Sequence, residues 1–231
     1  MPLLQCHGLT NPRGMADVSL QVWKEQLRYA VDVAAARGAP SLWLGGFSTG
    51  ATLSVYQAAT YAPVAGGLLL FAPALRLAGG LGELTERLLR HPVAGIVDSA
   101  HNRVKRDIGR NPFRYSSIDI AGARELSKLI KELEELDAEA WRKIASQPMF
   151  VGYSLADDIV DLPAIADILR RHSAARAAVA IPKGLGVPHS NTTLSRAVRA
   201  PDGQVLEERN PYFERMLTRL EDFVAGCLTD D

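Results

Sequence analysis

Short continuous apolar runs alternate along this chain with longer segments in which apolar residues recur every three or four positions. Continuous runs are typical of strands covered on both faces of a parallel sheet, and the longer spacing is typical of amphipathic helices. The pattern predicts strands at 2–6, 42–45, 67–72, 148–153 and 176–181. It predicts helices at 20–37, 51–61, 163–171 and 211–227. Such alternation indicates an α/β fold with a mostly parallel sheet.

The alternation is interrupted between residues 74 and 147. Apolar residues there recur at helical spacing without a convincing strand, residues 127–144 are strongly helix-forming, and residues 111–115 indicate a loop. We therefore expect an α/β core made of residues 1–73 and 148–231, and an inserted helical cap, or lid, made of residues 74–147.

The composition restricts the class of protein. The 231 residues are 47% hydrophobic, which is enough for a complete core. Lys+Arg and Asp+Glu both number 26, so the net charge is zero, which argues against a nucleic-acid partner. The basic cluster of Arg103, Lys105, Arg106 and Arg110 lies among acids and helix formers, and it predicts a solvated helix face.

Cysteines, metal ligands and targeting signals restrict it further. Cys6 and Cys227 lie near opposite ends of the chain and form neither a disulfide framework nor a zinc pattern, which favours a reduced compartment. No cluster of His, Asp and Glu has metal-ligand spacing, so we expect no metal and no cofactor. The longest uncharged apolar stretch, 62–75, is too short and broken to span a membrane. Without a secretory pattern at the N-terminus, a cytoplasmic location is expected.

Residues 46–50 read Gly-Phe-Ser-Thr-Gly and lie between a predicted strand and a predicted helix. This places Ser48 at the tip of a strand–turn–helix unit. A sharp turn exposes a serine hydroxyl and puts backbone N–H groups beside it, as a nucleophile requires. We expect a side chain at Gly46 or Gly50 to crowd the turn. An ordinary strand–helix turn is the alternative interpretation.

A nucleophilic serine needs a histidine base and an acid that orients the base. In sheet proteins with such a turn the chain order is serine, acid, histidine, and the partners follow the carboxyl ends of strands. The loop after the strand 148–153 contains Asp157, Asp158 and Asp161, and the loop after the next strand contains His189. The acid is therefore expected among these aspartates, the other two serving ordinary turns, and His189 is expected to be the base.

The remaining histidines fit the order less well. His7 precedes the serine, and His91 and His101 lie in the insertion, ahead of the candidate acids. His172 follows two arginines at the end of a predicted helix, which indicates a solvated surface or cap residue.

With these residues the chain resembles the α/β-hydrolase superfamily, and more closely its bacterial carboxylesterases and monoacylglycerol-lipase-like serine hydrolases. The resemblance runs nearly end to end. Its passages are residues 4–9 with 17–23, the turn at 46–50, residues 111–115 with Ile118, the acid turn at 157–160, the histidine loop at 187–190 and the start of the last helix at 210–213. The acid turn fits the family's D-x-x-V pattern, which favours Asp157.

The resemblance implies a serine hydrolase that cleaves carboxylic esters, either acyl glycerols or other small-molecule acyl esters. Ser48 would attack the carbonyl carbon, His189 would take its proton and later protonate the leaving alcohol, and Asp157 would orient His189. The backbone N–H of Thr49 would form half of the oxyanion hole. The insertion would be a lid with an apolar lining suited to a medium or long acyl chain.

The chain departs from the family's pattern at its front. The family has three more strands before the point where this sequence begins, and the third leads into a His-Gly loop that supplies the second oxyanion donor. Here His7-Gly8 lies only 40 residues before Ser48 and matches a later passage of the family. The sheet is therefore expected to be N-terminally short. Three explanations stay open: the protein is longer, the strand 2–6 fills the vacant place so that Leu9 N–H becomes the donor, or the chain is an impaired hydrolase that needs a partner strand.

Two further expectations follow from that front. An exposed sheet edge favours a homo-oligomer. The alternative to the esterase is an N-terminally truncated or non-catalytic α/β-hydrolase-like binding protein. Acyl transfer and the hydrolysis of thioesters or amides use the same triad and stay open.

Overall fold

The structure, a computed structural model, describes residues 4–7, 15–38, 41–61, 66–78, 103–107, 111–112 and 117–229. In chain order the elements are α1 (Leu20–Ala36), β1 (Trp43–Phe47), α2 (Thr49–Thr60), β2 (Gly67–Phe71), β3 (Arg103–Asp107), β4 (Ser117–Asp119), α3 (Ile120–Glu134), α4 (Ala138–Ala145), β5 (Met149–Ser154), α5 (Leu162–Arg171), β6 (Arg176–Ile181), β7 (Val198–Arg199), β8 (Val205–Glu207) and α6 (Phe213–Thr229). Short 3₁₀ turns lie at Lys183–Leu185 and His189–Asn191.

Four strands form one parallel sheet in the order β1-β2-β5-β6. Each of them coincides with a predicted strand to within two residues, and α1, α2, α5 and α6 coincide with predicted helices. The mostly parallel α/β sheet is therefore confirmed. Because all four strands run the same way, the residues that follow them meet at one carboxyl edge.

The side chains of β2 alternate between the two faces of the sheet, as a strand's period of two requires. Leu68 and Leu70 are fully buried in the larger core, where they join Val55 of α2 and Ile165 of α5. Leu69 faces the other way, toward a smaller cluster around Phe150. Both faces of the strand are therefore apolar and covered by helices.

The C-terminal helix α6 covers this second face. Met216 of α6 is 2% exposed and packs with Phe150 and Val179. A Cβ at Gly152 would lie 2.8 Å from the Met216 sulfur, so this glycine lets the helix approach the sheet closely. The amphipathic pattern predicted for 211–227 serves this contact.

The prediction of an all-helical segment over 74–147 was wrong at two places. β3 and β4 pair as an antiparallel ribbon, with Val104 opposite Ile118. The basic cluster that was expected on a helix lies instead on β3 as far as Asp107, and Arg110 lies outside the described residues. The segment Arg103–Asp107 has one apolar residue, so periodicity could not mark it; pairing with β4 makes it a strand.

The strongly helix-forming stretch 127–144 is two helices rather than one. α3 ends at Glu134, and α4 begins after Asp137, whose carboxylate accepts the amide of Ala140 at 2.8 Å and caps α4. Both helices pack against α2. Leu129, Ile130 and Ile144 are at most 1% exposed, so these helices help to bury the helix that follows Ser48.

The predicted strand at 2–6 is not a strand in its described part. Residues 4–7 form a turn in which His7 N donates to Leu4 O, and Cys6 has a positive φ of 63°. Gln5 ties this turn to α1, because its N–H donates to Gln26 at 2.7 Å and its carbonyl accepts Trp23 Nε1 at 3.0 Å. Backbone groups that a sheet would have paired are satisfied by the side chains of α1 instead.

β1 is consequently an edge strand in the described part of the sheet. It pairs with β2 from Trp43 to Phe47, and no other described strand lies beside it. The first turn of the chain does not fill that place. None of the described helices is both long and apolar enough to cross a membrane.

Candidate active site

Ser48 stands at the junction of β1 and α2 in a strained conformation. Its φ is 53° and its ψ is −119°, although it is not a glycine. Such backbone outliers cost on the order of 1–3 kcal/mol and persist only where surrounding contacts impose them. Here Ser48 N donates to Phe71 O at 2.9 Å, and Ser48 O accepts the amide of Thr52 at 3.1 Å. Strand pairing on one side and the helix on the other hold the turn.

The two glycines of the turn are not equivalent. A Cβ at Gly46 would lie 2.4 Å from the Gly50 carbonyl carbon and 2.6 Å from Ala51 N, so only glycine fits there. A Cβ at Gly50 would meet nothing within 4 Å. The expectation that either position would be crowded is therefore wrong for Gly50, because that position opens away from the strand.

The Ser48 hydroxyl contacts His189. Ser48 is the N-cap residue of α2, yet its side chain makes no capping hydrogen bond. Its Oγ lies 2.9 Å from His189 Nε2. The imidazole packs against Phe47, with ring centroids 4.9 Å apart, and its side chain is 12% exposed. Phe47, the residue before Ser48, therefore packs against one side of the His189 ring.

Asp157 is the acid that reaches His189. Its Oδ2 lies 2.7 Å from His189 Nδ1, and its side chain is fully buried. Its Oδ1 accepts the amides of Ile159 and Val160 at 2.9 and 3.1 Å. Because a carboxylate accepts and does not donate, Nδ1 carries the proton, and Nε2 is then the acceptor for the serine hydroxyl.

The other two candidate acids serve different roles in the same loop. Asp158 is exposed. Asp161 caps α5, since its Oδ1 accepts the amide of Ala164 at 3.2 Å, and its Oδ2 lies 3.4 Å from Arg76 Nη1. The choice among the three aspartates, which spacing left open, therefore follows from the orientation of the turn.

His172 is the C-cap residue of α5, as one of the two interpretations expected, but it is buried, so the interpretation as a solvated surface residue was wrong. It is 4% exposed, and neither ring nitrogen has a hydrogen-bond partner among the described residues. Desolvation lowers the pKa of His172 below its usual value, the backbone of Gln147 opposes this shift, and Arg176 adds to it. The residues that follow His172 bond to the end of α4, since Ser173 N and Ala174 N both donate to Ala145 O at 3.0 Å, and adjacent arginines could not reveal that.

The remaining histidines take no part in the Ser48 contacts. His7 belongs to the first turn and packs on Trp23, with ring centroids 5.6 Å apart. His91 and His101 lie outside the described residues. Among the residues that are described, no group of three or more His, Cys, Asp and Glu side chains could hold a metal ion.

Of the two predicted oxyanion donors, only Thr49 lies among the described residues. Thr49 is the first residue of α2, where backbone N–H groups have no intrahelical partner. Leu9 lies outside the described residues. The predicted second donor therefore stays a prediction.

A buried polar network behind the histidine loop was not anticipated from the sequence. Asn210, which is 2% exposed, donates through Nδ2 to Thr192 O at 2.7 Å. Thr192 in turn donates through its hydroxyl to His189 O at 2.9 Å. Asn191 donates to Glu208 O at 2.9 Å. The segment before α6 therefore anchors the loop; the asparagine that opens the Asn-Pro-Tyr-Phe passage was the only sequence signal for it.

Comparisons with known proteins bear on the fold. No protein-family model and no curated protein sequence matches the chain. A soluble variant of monoglyceride lipase from Saccharomyces cerevisiae aligns with a TM-score of 0.70 and 14% identity, covering 97% of this chain and 75% of its own. The metagenome-derived lipolytic enzymes LipS and LipT give a TM-score of 0.65 at 15% identity, covering 96% and 80%.

A haloalkane dehalogenase from Bradyrhizobium elkani, DbeA, aligns with a TM-score of 0.55 and 15% identity over 94% of this chain and 78% of its own. Lipases and a dehalogenase thus share one architecture, so the architecture does not decide the reaction. Taken with the parallel sheet and the strained serine at its carboxyl edge, these likenesses show that the chain has the α/β-hydrolase fold.

Proposed function

We propose that this protein is a serine hydrolase that cleaves carboxylic esters of small molecules through an acyl-enzyme intermediate. The observation that carries the proposal is the continuous hydrogen-bonded line from Ser48 Oγ to His189 Nε2 at 2.9 Å and from His189 Nδ1 to Asp157 Oδ2 at 2.7 Å. A hydroxyl, an imidazole and a buried carboxylate in this order are the parts of a catalytic triad, in which the imidazole activates the serine and the carboxylate orients the imidazole.

In the proposed reaction Ser48 Oγ forms a bond to the ester carbonyl carbon while its proton passes to His189 Nε2. The imidazolium is stabilised by Asp157, which stays ionised. His189 then gives the proton to the alcohol oxygen as the carbon–oxygen bond breaks, which leaves an acyl group on Ser48. A water molecule, deprotonated by the same imidazole, then attacks the acyl carbon. The bond from that carbon to Ser48 Oγ breaks, the imidazolium returns the proton to Oγ, and the acid is released.

The developing negative charge on the carbonyl oxygen needs donors. Thr49 N–H, at the N-terminus of α2, is the proposed first donor, and the helix dipole adds to its effect. Leu9 N–H is the candidate for the second. One missing donor typically lowers kcat by about 10²–10³-fold, so a very low kcat for ester hydrolysis would indicate that the second donor is missing.

The acyl site is proposed to lie under the insertion that follows β2. The division into a core at 1–73 and 148–231 and a cap at 74–147 is part of this proposal. Within the segment 74–147, α3 and α4 pack against α2 of the core. The substrate is expected to carry a medium or long acyl chain.

Two arguments favour an acyl substrate and make esters the first class to test. Ser48 occupies the nucleophile position, and a serine forms an ester intermediate that water can hydrolyse. The structural neighbours include a monoglyceride lipase and lipolytic enzymes, which supports an acyl ester as the first substrate class to test.

The alternative is a non-catalytic binding protein, and the open edge of β1 in the described sheet favours it. The strain at Ser48 argues against a non-catalytic protein. Glycine adopts a positive φ without strain, so a serine is expected at this position only if its hydroxyl is used. If the protein only binds a ligand, the wild type would show no turnover, and the Ser48→Ala variant would retain the ligand affinity of the wild type.

The deciding experiment is covalent labelling by a fluorophosphonate probe, which reacts with activated serines. We expect the wild-type protein to be labelled and Ser48→Ala to lose all labelling. Ser54→Ala is the matched control, because Ser54 lies on α2, is 2% exposed and only bonds Gly50 O within the helix. Labelling that survives Ser48→Ala, or a wild-type protein that neither labels nor hydrolyses p-nitrophenyl esters of short, medium and long acyl chains, would overturn the proposal.

A further inference from the structure

Ser154 lies at the carboxyl ends of the two strands that lead to Asp157 and His189. It is the last residue of β5 and pairs with Ile181, the last residue of β6. Its side chain is fully buried, which is unusual for serine. The turn that carries Asp157 follows it directly, and the loop that carries His189 follows Ile181.

The Ser154 hydroxyl bonds to both of these segments. It donates to Val187 O at 2.6 Å, across 33 residues of sequence, and it accepts the amide of Ala156 at 3.1 Å. Val187 is two residues before His189, and Ala156 is the residue before Asp157. One side chain therefore fixes the backbone of the base and the backbone of the acid at the same point.

The main chain of Ser154 supports the same arrangement. Its carbonyl accepts the amide of Asp157 at 3.2 Å, and the next amide, Leu155 N, donates to Ile181 O at 2.9 Å. These bonds hold the strand ends together, whereas the hydroxyl bond reaches further along the histidine loop to Val187. Val187 itself is 3% exposed, so removal of the hydroxyl leaves a buried carbonyl without this partner.

We propose that Ser154 is a positioning residue, whose buried hydroxyl sets the separation between Asp157 and His189. The inference builds on the ester-hydrolase function proposed above. The distance that it sets is the 2.7 Å contact between Nδ1 and Oδ2, which aligns Nε2 with the nucleophile. A displacement of about 1 Å in such a constellation costs on the order of 100-fold in rate.

The test compares Ser154→Ala with Ser127→Ala. Ser127 is equally buried, on α3, and its hydroxyl has no hydrogen-bond partner among the described residues, so it controls for the loss of a buried oxygen. We expect Ser154→Ala to lower kcat about 10- to 100-fold with KM within about twofold of wild type. Ser127→Ala should leave both unchanged.

A spectroscopic readout separates positioning from a general loss of stability. The proton on His189 Nδ1, in its short bond to a carboxylate, gives a far-downfield proton NMR signal that the His189→Gln variant lacks. We expect this signal to weaken or move upfield in Ser154→Ala at a temperature where circular dichroism shows the variant folded. An unchanged signal together with wild-type kcat would overturn the inference.

Ser154→Cys keeps the side-chain volume and only a weak donor, so it should fall between serine and alanine in kcat and in the NMR signal. If Ser154→Ala does not fold, Ser154→Cys alone carries the test, and a wild-type kcat and signal would refute the role. The NMR signal needs no substrate. A protein without esterase activity whose signal still depends on Ser154 would reject the proposed function and retain the positioning role.

Discussion

His189 Nε2 lies 2.9 Å from Ser48 Oγ, although 141 residues separate them in the sequence. The contact exists because β1 and β6, the outer strands of the described sheet, run in the same direction, so one carboxyl edge gathers the loops that follow them. The loop after β6 is long enough to reach back over β5 and β2 to the serine turn. Asp157, after β5, lies between the two strand ends and meets His189 on the way.

Replacing Asp157 by asparagine should lower kcat by about 10⁴-fold while the fold is retained. An asparagine oxygen can still accept the amides of Ile159 and Val160, but the amide NH₂ would face Nδ1 and favour the wrong imidazole tautomer. The measurement is steady-state hydrolysis of an activated ester. Asp158→Asn, one residue on and exposed, should stay within about twofold of wild type. Equal losses in the two variants would contradict the assignment of the acid.

Gly46→Ala and Gly50→Ala should differ sharply in stability. The first places a methyl group 2.4 Å from the Gly50 carbonyl carbon, an overlap that we expect to cost about 3 kcal/mol or more. The second meets no atom within 4 Å and lies in α2, where alanine replaces glycine with a gain of up to about 1 kcal/mol. Urea unfolding of the two variants and the wild type measures the difference, and similar free energies of unfolding would refute the described turn.

Buried His172 should make the protein less stable in mild acid. Its pKa is lowered by desolvation in the folded state, so the unfolded chain takes up a proton first as the pH falls below the ordinary value of 6.5. The free energy of unfolding should therefore decrease from about pH 6.5 down to the lower folded pKa, by at most about 1.4 kcal/mol per pH unit for this one proton.

His172→Leu should remove this part of the pH dependence. Urea unfolding at about pH 8 and about pH 5.5 should give a smaller acid loss for the variant than for the wild type, because leucine cannot be protonated. The comparison at about pH 8, where the histidine is neutral in both states, gives the packing cost of the substitution alone. Parallel pH curves for variant and wild type would show that His172 does not contribute.

Much of the core could be predicted because its signals are local. The continuous apolar runs of β2 and β5 mark strands covered on both faces, and the Gly-Phe-Ser-Thr-Gly turn marks the change from strand to helix. The order of serine, acid and histidine is the one known for sheet proteins with such a turn, and the parallel strand ends limited the candidates to the loops after β5 and β6. The elements themselves need only the periodicity of apolar residues.

Other features depended on partners that are distant in sequence. β3 is a strand only because it pairs with β4. The segment expected as a strand at 2–6 is a turn in its described part, because the backbone of Gln5 forms hydrogen bonds with the side chains of Gln26 and Trp23. Composition carries no trace of such partners, since a backbone N–H donates to whichever acceptor comes within reach.

By itself, therefore, the sequence determined the four strands of the parallel sheet, the helices α1, α2, α5 and α6, and the turn in which a serine could be held. The resemblance carried by its motifs favoured Asp157 as the acid. Tertiary structure decided that Asp157 does face His189, that Ser154 joins the two loops and that His172 is buried. The physical reason is that the direction of a side chain in a loop is set by the hydrogen bonds of the segments packed against it. Those segments come together only when the sheet has formed.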